Sequence, residues 1–253
     1  MKKWVLEGMN VFSVTTLFPL GWGMQKIKRR RANVDSSALL MEHENPVLLV
    51  HGIFHNSTAF YELEKTLRKA RFPHIHSMNL WTSVNHMEDL AGQLREEALD
   101  LLKSAEEHRR FHHQPLKLRI AAHSLGGMIT RVALLDTDFA KKVDKVLFLG
   151  TPHQGASLLQ FPFPKCVGEL KKGSVLIQRL KSEPLARGPR YYNIRGTLDI
   201  VTPLASTFLP HVPDLKFDEV GHAGLLNDRR VLQSIVEILE SPFYDQPLEA
   251  AIG

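Results

Sequence analysis

The run Arg119-Ile120-Ala121-Ala122-His123-Ser124-Leu125-Gly126-Gly127 constrains this chain more than any other stretch. Apolar, strand-forming residues end at a serine, small residues flank that serine, and a helical pattern follows at once. A strand–turn–helix elbow of this kind exposes the serine hydroxyl on a sharp turn. Bulky side chains two before or two after the serine collide across it. Gly126 meets that demand, while Ala122 stands where a first glycine is usual, so the run reads A-H-S-L-G. Ser-Leu-Gly-Gly also occurs at ordinary strand–helix turns, so the reading rests on what else the chain carries, and in what order.

Three further segments complete the pattern. Pro46 to Ile53 (PVLLVHGI) reads as a buried strand ending in a glycine turn upstream of the serine. Its position matches the loop that supplies a second backbone amide to a developing oxyanion, the first coming from the residue after the nucleophile. Those amides would belong to Ile53 and Leu125. Tyr191 to Gly196 is another strand, followed by Asp199 in a loop closed by Thr202-Pro203, and a later loop carries His222. A serine hydroxyl is a weak nucleophile until a base takes its proton. His222 is the candidate base and Asp199 the carboxylate that fixes its tautomer. Asp214 and Asp218 are the rivals for that role: Asp218 falls within an expected strand, Leu215 to Val220, and Asp214 precedes it. His51, His123 and His153 read as scaffold for the surrounding loops, and His112 and His113 as a solvated loop.

From Pro46 onward strands and helices alternate. Strands are expected at 46–53, 74–80, 116–122, 143–150, 190–196 and 215–220. Helices are expected at 58–70, 87–110, 125–135 and 229–239, by apolar residues at helical spacing. In the long second helix Leu90, Leu94, Ala98, Leu101 and Ala105 form the inward stripe, and Glu96, Glu97, Glu106 and Glu107 are expected to face water. This alternation predicts an α/β fold: a mostly parallel sheet of six or more strands with helices on both faces. Ala156 to Pro189 interrupts it and is too long for a plain loop. It holds Leu158, Leu159, Phe161 and Phe163 among prolines, then a short helix from Val175. A cap or lid over an acyl pocket is the favoured reading, and a crossover helix packed on the sheet the alternative.

Together, HGI at 51–53, AHSLGG at 122–127, GTPHQG at 150–155 and GHAGLL at 221–226 resemble the small bacterial lipases and esterases of the α/β-hydrolase superfamily. The alanine form of the elbow also occurs in short Bacillus-type lipases. The chain order Ser124, Asp199, His222 is the order of that superfamily. The resemblance spans about Pro46 to Leu239. It implies an α/β-hydrolase fold and a serine enzyme that cleaves carboxylic esters, of lipid or acylglycerol type, through an acyl-enzyme. A lipid acyltransferase on the same triad and a non-catalytic binding module of this fold are the alternatives. An intact Ser124, Asp199 and His222 argues against the binding module. Some related lipases carry calcium near the acid loop, but no persuasive ligand cluster stands there, so neither a metal nor a cofactor is expected.

The bulk numbers narrow this further. At 253 residues and 43% hydrophobic content, the chain suits one well-buried domain, residues 45–253. The single cysteine, Cys166, excludes an internal disulfide framework. Residues 1–31 hold seven basic side chains against Glu7, a balance of +6, which leaves 25 basic and 26 acidic groups, or −1, for the other 222 residues. The basic excess is therefore confined to an N-terminal arm, residues 1–44, and the body offers no basic face for nucleic acid. Gly8 to Gln25 is uncharged, apolar and carries Trp22, with the Lys26-to-Arg31 cluster after it. A signal peptide fits poorly, without a small-residue cleavage site, and a full span is marginal. An interfacial anchor on anionic lipid is the expectation, giving a membrane-associated protein. The alternative is an arm packed on the body of a soluble cytoplasmic protein.

Overall fold

The computed structural model describes residues 44–82, 85–109, 115–156 and 165–241. The N-terminal arm apart from Glu44, the His112–His113 loop and the Leu158-to-Phe163 part of the insertion lie outside these residues. Six strands, β1 (Val47–Val50), β2 (Ile75–Ser77), β3 (Leu118–His123), β4 (Val143–Leu149), β5 (Arg190–Gly196) and β6 (Asp214–Phe217), form one sheet in the order β2-β1-β3-β4-β5-β6. Every pairing is parallel. Parallel strands need helical crossovers that bury both sheet faces, which is why β1 is wholly apolar and β3 and β4 are mostly so, with Arg119, Asp144 and Lys145 near their starts and His123 at the end of β3. All residues of these three strands are buried.

Among the described residues seven α-helices follow in chain order: α1 (Tyr61–Lys69), α2 (Met87–Glu107), α3 (Leu125–Ala133), α4 (Thr137–Ala140), α5 (Lys165–Glu169), α6 (Val175–Ser182) and α7 (Arg229–Glu240). On one face, Leu48, Val50, Ile120, Val146 and Phe148 pack against Leu90 and Leu94 of α2 and Met128 and Ile129 of α3. On the other, Val47, Leu49, Leu147 and Leu149 pack against Leu63 and Leu67 of α1 and Val231 and Ile235 of α7. The period-two alternation of the strands thus divides one apolar run between two cores.

Several local expectations need correction. The last strand ends at Phe217, not Val220, because Glu219 adopts φ 63°, a left-handed conformation that breaks the extended chain. Asp214 therefore opens β6 and Asp218 lies beyond it. The first helical segment begins as a 3₁₀ turn, Ser57–Phe60, because the Asn56 carboxamide caps it by accepting from the Thr58 amide. Glu97 and Glu106 are only partly exposed, at 23% and 37% of their side-chain surface. The Glu97 carboxylate pairs with His76 Nε2 at 2.7 Å, and Glu106 Oε1 accepts the Leu116 amide at 2.6 Å.

The described part of the 156–189 insertion is anchored on α2 and α3. Cys166 Sγ donates to the Thr82 carbonyl, the Glu169 carboxylate accepts the Met87 amide at the start of α2, and the Arg131 guanidinium of α3 donates to the Leu180 carbonyl. Ile177 and Leu180 enter the α2–α3 core. At the opposite end of the sheet, the buried Lys145 ammonium donates to the carbonyls of Ile238, Leu239 and Ser241 and so closes the C-terminus of α7. No helix among the described residues is long and apolar enough to cross a membrane.

Candidate active site

β3 runs into α3 through Ser124, whose backbone sits at φ 55° and ψ −123°. A serine holds this sparsely populated conformation only when its surroundings enforce it. Here the Ser124 amide donates to the Leu149 carbonyl of β4, and the Ser124 carbonyl accepts from Gly127. Gly126 is required by close approach: a Cβ there would lie 2.4 Å from the Val50 carbonyl oxygen and 2.6 Å from that of His51. Gly52 is required on the other side, since a Cβ would come 2.9 Å from the Ser124 Cβ. The elbow and the β1 turn therefore pack closely, with Gly52, the residue before Ile53, against Ser124. Leu125 opens α3, so its amide is among those with no acceptor inside the helix.

Asp199 and His222 meet close to this elbow, where the neighbouring His123 contacts His222. His222 Nδ1 donates to Asp199 Oδ2 at 2.7 Å. The other carboxylate oxygen accepts the amides of Val201 (3.0 Å) and Thr202 (2.7 Å), a local turn that holds the carboxylate rigid. Ser124, Asp199 and His222 are 7%, 6% and 5% exposed, so charge interactions among them are weakly screened. Asp214 is engaged elsewhere, with Arg195 and Asn193. Asp218 receives the Arg230 guanidinium on its backbone carbonyl at the surface. The structure thus brings Asp199, and neither rival, to His222.

Neutral histidines surround the pair. His51 Nδ1 donates to the Gly52 carbonyl (2.7 Å) and Nε2 accepts the Leu80 amide (2.9 Å), which fixes its tautomer and ties β1 to the loop after β2. Burial lowers its pKa to about 4. His123 Nε2 donates to the His222 carbonyl at 3.2 Å, and its ring packs on the His222 ring at 4.5 Å between centroids. His55 stacks on the far side of His123 at 5.9 Å. Burial pushes His55 to about 3 and His123 well below the usual imidazole range, with the proximity of His222 adding to both. His153 is buried against Phe148, edge to face at 4.8 Å, and burial lowers it in the same way.

Two residues escaped the sequence reading. His55 lies in the turn after β1 with no pattern to single it out. Thr202 was visible only as a loop-closing residue. Its hydroxyl lies 2.7 Å from Asp199 Oδ2, 2.9 Å from the Gly150 carbonyl and 3.1 Å from His222 Nδ1. The Asp-x-x-Thr spacing carried that signal, because a threonine three residues after an aspartate is placed to close its turn.

A parallel sheet with a serine elbow after one strand, an acid loop after another and a histidine loop before the last helix is matched by known proteins. A family model described as a PGAP1-like alpha/beta domain matches residues 42–163. The chain superposes on the mature Bacillus licheniformis lipase BlEst2 with a TM-score of 0.66, at 16% identity, over 78% of this chain and 92% of that one.

The chain has the α/β-hydrolase fold.

Aspergillus fumigatus lipase B is similar over 81% of this chain and 55% of its own, at 15% identity and a TM-score of 0.64. A lipase-esterase related protein from Clostridium acetobutylicum matches over 81% and 95%, at 14% identity and a TM-score of 0.53. No curated protein matches by sequence. In α/β-hydrolase terms, Ser124, Asp199 and His222 follow the carboxyl ends of β3, β5 and β6, the edge of an open α/β sheet where ligands bind. No group of three or more metal-ligating side chains occurs among the described residues.

Proposed function

We propose that this α/β-hydrolase-fold protein is a serine carboxylester hydrolase acting on lipid or acylglycerol esters. The observation that carries the reading is the buried Asp199–His222 hydrogen bond beside a serine held at positive φ. Ser124 Oγ attacks the ester carbonyl while His222 Nε2 takes its proton. Asp199 holds Nδ1–H and stabilises the imidazolium. The amides of Ile53 and Leu125 receive the oxyanion, each worth a few kcal/mol in the transition state. His222 then returns the proton to the leaving alkoxide, and a water deprotonated by the same ring releases the acid from the Ser124 ester.

The neutral rings of His51, His55 and His123 suit this cycle. They leave His222 as the one imidazole that gains charge at the site. Exposed apolar side chains support an apolar substrate. Phe54, Trp81, Leu198, Ile200 and Phe208 all lie in loops that leave carboxyl ends of strands, the edge that holds Ser124. We read residues 156–189 as a cap over this edge and residues 1–44 as an interfacial anchor for anionic membrane.

The test is turnover of p-nitrophenyl esters of rising chain length, followed from mixing. The expected result is a stoichiometric burst of nitrophenol, then a steady state that speeds up with acyl length before solubility limits it. Absence of turnover across the series by folded protein overturns the proposal. Added alcohols that divert most of the product into new esters would instead establish acyl transfer.

A further inference from the structure

The edge of the sheet opposite the candidate site carries a groove that the catalytic reading does not use. It has a volume of about 500 Å³ and lies between the last turns of α2, the residues leading into β3 and those leading into β4. Leu99, Leu102 and Leu116 line it. Leu99 is 39% exposed, and it is the one large exposed hydrophobic named among the described residues that lies in the body of α2. Four lysines ring these leucines: Lys103, Lys117, Lys141 and Lys142. Two carboxylates lie near them. Glu106 is committed to the Leu116 amide and to Arg109, and Asp138 pairs with Lys141 at 2.8 Å.

The N-terminal arm joins the body at this groove. The Lys117 amide donates to Asn45 Oδ1 at 2.9 Å, and the Glu44 carboxylate lies 3.6 Å from Arg109 Nε, one turn beyond the groove residue Glu106. We propose that this lysine-ringed groove is a docking surface for an anionic phospholipid bilayer. Lysine stems cover the leucines while the ammonium groups reach outward to lipid phosphates, an arrangement suited to a surface that is apolar inside and anionic outside. A free anion has no use for the exposed Leu99 side chain. The inference rests on the reading of the arm as a membrane attachment for its choice of a bilayer, and it adds a second contact on the folded body.

The fold then sets an orientation. Docking residues precede β3 and β4, and Ser124 follows β3, so the two sites are separated by the length of a six-residue strand, about 20 Å. Bound through the groove, the protein turns Ser124 away from the leaflet that holds it. Its ester then comes from the aqueous side or from an apposed membrane.

Co-sedimentation of the full chain with phosphatidylcholine vesicles, with and without phosphatidylserine, tests this. A groove variant carries Lys103→Gln, Lys117→Gln, Lys141→Gln and Lys142→Gln. An arm variant carries Lys26→Gln, Lys28→Gln, Arg29→Gln, Arg30→Gln and Arg31→Gln. Each basic side chain at an anionic surface raises partition about fivefold. The groove variant is expected to lose more than about tenfold on phosphatidylserine vesicles, with soluble-ester turnover unchanged. If it partitions as the unaltered chain does while the arm variant falls off, the groove inference is overturned and the arm reading stands. Loss in the groove variant alone supports the groove and removes the arm reading. No binding by the unaltered chain overturns both. An environment-sensitive dye on Leu99→Cys should shift to the blue on binding, and one on Phe208→Cys should not; the reverse pattern overturns the orientation.

Discussion

Thr202 places one hydroxyl against Asp199, His222 and the Gly150 carbonyl. It has a single proton to give, to the carboxylate or to the carbonyl, and its lone pairs face the ring N–H. Thr202→Val keeps the shape and removes the polar atom, leaving Asp199 Oδ2 one donor short. It is expected to lower kcat about fivefold with KM unchanged, a loss of about 1 kcal/mol, and Thr202→Ser should restore most of it. Steady-state kinetics on a short-chain ester reads both. The acid itself is tested by contrast. Asp199→Asn should keep the fold and lower kcat about 10⁴-fold through the wrong tautomer. Asp214→Asn should spare kcat and cost about 3 kcal/mol of stability, because the nearly buried Arg195 loses its carboxylate. Urea unfolding beside the kinetics separates the two. At this scale the three triad candidates were legible in the sequence because each occupies a distinctive local context: a small-residue elbow, a loop after a strand, a loop before the last helix. His55 was not, since its ring partner His123 comes from a separate segment, and Thr202 was only in part: the Asp-x-x-Thr spacing marks its bond to Asp199, while Gly150 and His222 are distant in sequence.

The elbow works as one element with β1. Gly126 faces the Val50 and His51 carbonyls, so Gly126→Ala must push α3 off the sheet or move the turn that follows β1. We expect a loss of about 3 kcal/mol or more in stability, in the range of strained, overpacked cores, and a kcat reduced out of proportion to the folded fraction. Ala122, by contrast, is fully buried in β3. Element types were legible wherever the apolar period was strong. The β5 boundaries Arg190–Gly196 match the expectation residue for residue. Boundaries failed where a single backbone choice ended an element, as at Glu219, and polar faces failed where a carboxylate found a partner distant in sequence. Glu97 with His76 and Glu106 with Leu116 are such cases, since helical periodicity marks a face as outward without showing what will cover it.

The whole molecule buries an unusual set of neutral imidazoles. His51 is held at about 4 and His55 at about 3 by burial, and His123 and His153 lie well below the usual range for the same reason. In the unfolded chain these rings titrate near 6.5. Between pH 6.5 and about 4 the unfolded state therefore binds more protons than the folded one, and stability falls as pH falls through that window. Each ring that stays neutral adds about 1.4 kcal/mol per pH unit to the slope. Urea unfolding from pH 7.5 down to 4.5 should show a plateau above pH 6.5 and a steep loss below it; a flat profile would mean that the rings are charged in the fold. The two cores on either side of the sheet and the order of Ser124, Asp199 and His222 along it place all candidate chemistry at one edge. The central claim is that Ser124 is the residue acylated there. Intact-mass analysis after treatment with a fluorophosphonate tests it most directly. One adduct on the unaltered chain, mapped to the Ser124 peptide and absent from folded Ser124→Ala, is the predicted result. An adduct that persists in Ser124→Ala, or maps to another residue, would contradict it.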